Sequence, residues 1–108
     1  MYWRVRMNLI AEQAYVKIVR EVSSLNQIDI EQKRMIYLYD EKVITQHREF
    51  LIENVLDISY RFIGSDGGLL YLHTTNGVYS YVVRTSPEAF VKAFKNFRET
   101  LRQSENKL

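Results

Sequence analysis

The sequence has no cysteine, one proline and four glycines. Without a thiol there is no disulfide framework, no thiolate metal site and no cysteine nucleophile, and the chain suits a reducing compartment. So little proline and glycine beside 46% hydrophobic residues excludes a disordered, collagenous or linker-like chain. An excess of one charge is missing too. Fifteen Lys and Arg stand against thirteen Asp and Glu, a formal charge of +2, and no polybasic run marks nucleic acid or acidic lipid as a partner. No apolar run approaches the roughly 18 residues of a spanning helix. Trp3 to Leu9 is interrupted by Arg4, Arg6 and Asn8, unlike the apolar stretch of a secretory signal. The chain reads as a soluble cytoplasmic protein, a single domain over 1–108 with 103–108 a frayed polar tail.

Aromatic residues are plentiful at 13%, with eight Tyr and five Phe, and such side chains favour the pleated surface of strands. The exception is the C-terminal segment. Ser86-Pro87-Glu88 supplies an N-cap hydroxyl, a proline where its missing N–H costs nothing, and an acid against the helix dipole. Phe90, Ala93, Phe94, Phe97 and Leu101 then recur on one face, predicting an amphipathic helix over about 86–102 whose stripe is buried.

Upstream, Thr75-Asn76-Gly77-Val78 carries an Asn-Gly pair suited to a two-residue hairpin turn. The expected register sets Thr74 against Tyr79, His73 against Ser80, Leu72 against Tyr81 and Leu70 against Val83. Leu70, Leu72, Tyr79, Tyr81 and Val83 then form the core side, and His73, Thr75, Ser80 and Arg84 the polar side. Leu56, Ile58, Tyr60 and Phe62 alternate as a half-buried strand, which the run Ile63 to Gly68 ends. Met35 to Tyr39, Val43 to Thr45 and Phe50 to Ile52 read as short strands in a meander. Residues 10–25 fit a strand by propensity and a helix by spacing, and strand is favoured.

Clustered catalytic groups are absent. His47 and His73 are the only imidazoles, too far apart in sequence for a helical metal pair, and both read as surface residues. Ser59 or Ser80 with His73 and Asp57 can be drawn as a triad, but without a nucleophile elbow. Gly64 to Gly68 lacks the Gly-Lys-Ser/Thr ending of a phosphate loop and reads as a turn, as does Asp40-Glu41. Lys95, Arg98 and Arg102 form a basic stripe suited to the helix C-terminus. Arg4 and Arg6 follow Trp3, an arrangement that can hold a nucleic-acid strand, but Trp3 and its alternates are read first as a core-facing row. Tyr37, Tyr39 and Tyr71 alternate with already apolar rows. Either a second layer covers them or they form a surface for a partner or a second copy.

With these elements in order, Lys33 to Asp40, Phe50 to Arg61, Leu70 to Tyr81 and the closing Ser86-Pro87-Glu88-Ala89-Phe90 resemble the small bacterial domains of pleckstrin-homology-like fold. The resemblance implies a mainly β, α+β architecture: a bent antiparallel barrel of about seven strands capped by the C-terminal helix. Phosphoinositide-binding relatives carry a Lys/Arg cluster around the first hairpin. Here that region offers Lys17 and Arg20 alone, so headgroup binding is not expected. The Thr74 to Tyr79 stretch is also similar to strands of LytTR-type DNA-binding domains, whose His-Arg-Ser-Tyr segment this chain lacks. Fold does not settle function. The expectation is a non-enzymatic interaction module without cofactor or metal, binding a protein or peptide or forming a homo-oligomer through a sheet edge and Tyr37, Tyr39 and Tyr71. The alternative is nucleic-acid binding through Trp3, Arg4, Arg6 and the helix stripe.

Overall fold

A computed structural model describes residues 7–105. Seven strands, β1 (Leu9–Val22), β2 (Gln27–Tyr39), β3 (Lys42–Ile44), β4 (Glu49–Leu51), β5 (Val55–Phe62), β6 (Gly68–Thr74) and β7 (Gly77–Val83), precede one helix, α1 (Glu88–Glu105). The protein is mostly β, one antiparallel sheet plus a C-terminal helix, as the sequence predicts. The ambiguous N-terminal quarter is strand: β1 pairs along its whole length with β2, from Leu9↔Tyr39 to Val22↔Gln27. Strand β2 starts well before the expected Met35, because Gln27 to Arg34 needs only β1 to complete its ladder.

The order β4-β3-β2-β1-β7-β6-β5 is not the single meander expected. Two meanders, β1–β4 and β5–β7, meet at β1 and β7. Strands β4 and β5 occupy opposite ends of this order, yet only the 3-10 turn Ile52–Asn54 joins them. A link that short rolls the sheet until its two edges approach. Backbone hydrogen bonds from Ile52 N–H to Glu41 O at 2.9 Å and from Thr75 N–H to Asn54 O at 3.0 Å hold the link. The strands β4 and β5 do not pair, so the barrel stays open.

The inner face of the rolled sheet is the core. Ile36, Leu38, Val43, Ile58, Leu70 and Leu72 are fully buried there, and α1 inserts Phe90, Val91 and Phe94. Each buried Phe is worth about 1.5–3 kcal/mol. The helix starts as its sequence dictates: Glu88 N–H donates to Ser86 Oγ at 3.3 Å, and Pro87 is fully buried. It runs past the expected end at Arg102 through Glu105, so Gln103, Ser104 and Glu105 belong to the helix. The apolar stripe is shorter than expected, with Phe97 half-buried and Leu101 40% exposed.

Two strand readings need correction. In the β6–β7 hairpin Thr75 and Asn76 form the turn, so Leu72 faces Tyr79, Leu70 faces Tyr81 and His73 faces Val78. Only Gly77 takes positive φ, at 125°. Thr74 replaces the expected turn chemistry, its Oγ1 accepting from Asn76 N–H at 3.1 Å and donating to Gly77 O at 2.8 Å. The slip spans an even number of residues, so every side chain keeps its face and the expected core survives. In β5, a bulge between Val55 and Asp57 puts both Val55 and Ile58 inward and leaves Leu56 55% exposed. Phe62, at the end of this edge strand, is 58% exposed and stacks edge-on against Tyr60 at 5.4 Å.

Candidate functional site

The sheet is weakest where its meanders join. One residue pair, Val16↔Val82, links β1 to β7, and beyond it the strands diverge. A cavity of about 560 Å³ opens between them, lined by Val16 to Val19 of β1 and Ser80 to Val82 of β7. Consecutive residues on both walls mean that strand edges, with their backbone N–H and C=O groups, border the opening.

The β3–β4 turn closes the inner end. Thr45 N–H donates to Arg48 O at 2.8 Å, and Arg48 N–H donates to Thr45 Oγ1 at 3.2 Å. Gln46 N–H reaches the hydroxyl of buried Tyr15 at 3.4 Å. This turn aims His47 and Arg48 at the cavity, where Lys17 and Arg34 join them. The Arg48 guanidinium lies over the Tyr79 ring, 4.8 Å from its centroid. Tyr15 and Tyr81 meet edge to face at 5.0 Å. Burial raises the Tyr81 phenol pKa, opposed by its hydrogen bond with Thr45 and the Arg48 charge. No carboxylate lines the cavity, and among the described residues Lys17, Arg34 and Arg48 have no ion-pair partner. The opening is an electropositive slot floored by aromatic rings.

Sequence reasoning missed this slot because its cations come from three separate stretches of chain. Lys17 and Arg20 lie close in sequence, but three-residue spacing in a strand sends them to opposite faces. Arg20 instead bonds Asp29 at 3.2 Å. Only the paired registers bring Lys17, Arg34, His47 and Arg48 together.

The tyrosines lie elsewhere. Tyr37 and Tyr39 share the outer face of β2 with centroids 6.3 Å apart, whereas Tyr71 sits beside His73 on β6, also at 6.3 Å. All three are half-buried. The helix takes the inner face, so among the described residues no second layer covers the outer one.

His73 is not fully solvated. It is half-buried, and its Nε2 shares a 2.8 Å hydrogen bond with Ser59 Oγ. Asp57 lies opposite His73 in the β5–β6 ladder, but its carboxylate faces Arg98 at 3.5 Å. The Ser-His part of the drawn triad therefore forms, with its acid turned toward the helix, and the cavity between β1 and β7 does not include it. The helix stripe is partly spent within the chain: Arg98 contacts Asp57 and the Leu56 carbonyl, and Arg102 contacts Glu99 at 3.5 Å. The Asp40 carboxylate holds Asn8 through its backbone and side-chain nitrogens. Trp3, Arg4 and Arg6 lie outside the described residues. Among those described, no helix is long and apolar enough to cross a membrane, and no group of three or more His, Asp or Glu is placed to hold a metal ion.

No protein-family model matches the chain, and no curated protein matches it.

Proposed function

We propose that this protein is a non-enzymatic binding module of pleckstrin-homology-like fold that takes an extended acidic segment of a partner protein into the slot between β1 and β7. The carrying observation is the acid-free cavity bordered by two strand edges. Its shape favours a strand over a compact ligand: a peptide lying along Lys17 to Val19 hydrogen-bonds the β1 edge. Its carboxylates meet Lys17, Arg34 and Arg48 while its alternate side chains rest on Tyr15 and Tyr81. The cysteine-free composition fits a cytoplasmic setting. The half-buried Tyr37, Tyr39 and Tyr71 belong to a separate face that such a module could offer to a second partner.

The test is fluorescence anisotropy with a labelled peptide of alternating glutamate and valine, against its lysine–valine counterpart. Micromolar, salt-sensitive binding of the acidic peptide alone is expected, with at least a tenfold loss in Arg48→Glu. Equal binding of both peptides, or full binding by Arg48→Glu, refutes the reading. Tighter retention of single-stranded DNA or of phosphoinositide vesicles than of the acidic peptide transfers the slot to those ligands instead.

A further inference from the structure

The outer half of the β1–β2 hairpin projects from the body as a two-stranded ribbon, and the molecule measures 65 × 42 × 23 Å. Strand β3 pairs with β2 only at Tyr37 and Leu38, so among the described residues no strand pairs with the edge of β2 from Gln27 to Ile36. Two-stranded ribbons are marginal alone in water. This one also exposes Ile18 at 44%, Val22 at 74%, Ile28 at 54% and Ile30 at 39%.

The chain's hydrogen-bond phase identifies which groups point outward. Ser23 N–H donates to Asn26 O at 2.8 Å, and the ladder runs without interruption from that turn to Ala14↔Met35. Hydrogen-bonded and non-bonded pairs alternate along such a ladder. Asp29, Glu31, Lys33 and Met35 therefore fall at non-bonded positions and turn their backbone N–H and C=O away from β1.

The charges along this edge are self-complementary. In an antiparallel pairing of two β2 edges about a twofold axis through Gln32, Glu31 of each copy faces Lys33 of the other, Asp29 faces Met35, and Ile30 faces the aliphatic stem of Arg34. Moving the axis by one residue faces Glu31 with Glu31, or Lys33 with Lys33, and like charges directly opposite are destabilising. One register is thus selected, and because paired positions are an even number of residues apart in sequence, each paired side chain stays on its own face. Arg84 already holds Glu31, with Nε 2.9 Å from Oε1, so the pairing requires that carboxylate to bridge Arg84 and Lys33 of the other copy. We propose that the protein forms a twofold dimer through the Asp29–Met35 edge of β2, centred on Gln32 and joining two ribbons into one four-stranded sheet. The occupant is a second copy of this chain, an isologous partner as twofold pairing requires.

Sedimentation equilibrium on the full chain reads the outcome. A dimer is expected at micromolar concentrations, weakened about tenfold by Lys33→Glu, which sets glutamates opposite each other on both sides of the twofold axis. The exchange Glu31→Lys with Lys33→Glu restores it, while circular dichroism confirms that each variant is folded. A wild type that stays monomeric at hundreds of micromolar overturns the proposal. So does a dimer indifferent to Lys33→Glu, or one that the double exchange fails to restore. Arg48→Glu leaves the dimer intact, separating this edge from the slot.

Discussion

Strand β1 begins in one environment and ends in another. Near its start Gln13 and Tyr15 are buried, 6% and 5% exposed, whereas Val22 at its end is 74% exposed. The same contrast runs along β2, from fully buried Ile36 and Leu38 out to Ile28 at 54%. Past an irregularity at Ile10, backbone pairing continues from Ala11↔Leu38 to Val22↔Gln27 through both halves. Hydrogen bonds alone therefore do not distinguish body from ribbon. The difference lies in what covers the inner face: α1 with Phe90 and Phe94 over the body, and nothing among the described residues over the ribbon. Stability in this chain follows layering, and the ladder supplies geometry.

The largest expected effect strikes the layer itself. Phe94→Ala should cost about 3–5 kcal/mol by opening a cavity in the core, and Phe94→Asp should leave the domain unfolded by burying an unpaired charge. Circular dichroism melting measures both. A Phe94→Asp protein with a wild-type Tm would remove the helix from the core and erase the distinction between the two halves.

A smaller effect is expected at the boundary. Because burial lifts the Tyr81 phenol above its ordinary value of 10.0, the folded state keeps a proton that the unfolded state releases. The resulting stability is complete below about pH 10 and falls as pH rises from there through the raised value. Denaturant titrations on both sides of pH 10, with Tyr81→Phe as control, should show a loss in the wild type that the variant lacks. An identical pH profile for the two would place Tyr81 in an environment as open as the ribbon's.

The smallest effect belongs to the ribbon. Ile28→Ser should change monomer stability by less than about 0.5 kcal/mol, measured by urea unfolding at dilution below dimer formation. A cost above about 2 kcal/mol would mean that the ribbon is layered in solution and that the comparison fails.

Legibility in the sequence followed the same division. The capping signal at Ser86 to Glu88, the phenylalanine spacing and the alternation in Leu70 to Val83 are local consequences of burial on one face, and they gave the helix and the core hairpin. The turn slip at Thr75-Asn76 escaped notice because a shift by an even number of residues leaves the apolar pattern unchanged. The bulge at Leu56 was hidden because Leu56 and Val55 are both apolar, so either could have faced inward. The ribbon half of β2, where Ile28 and Ile30 give way to Glu31, Gln32, Lys33 and Arg34 in succession, alternates only briefly because neither face is covered. The electropositive slot was illegible for another reason: its side chains converge through strand pairing, and sequence spacing does not record that.

The single Val16↔Val82 link also has a bearing on how the chain assembles. Every other strand pairing in the sheet is a hairpin between neighbours in sequence, formed by zipping outward from a turn. The entropy of closing a long loop falls at that one strand junction, which unites segments from opposite ends of the chain. A segment docked beside it recognises only the fully assembled protein and, by mass action, strengthens the union of the two meanders rather than either one alone.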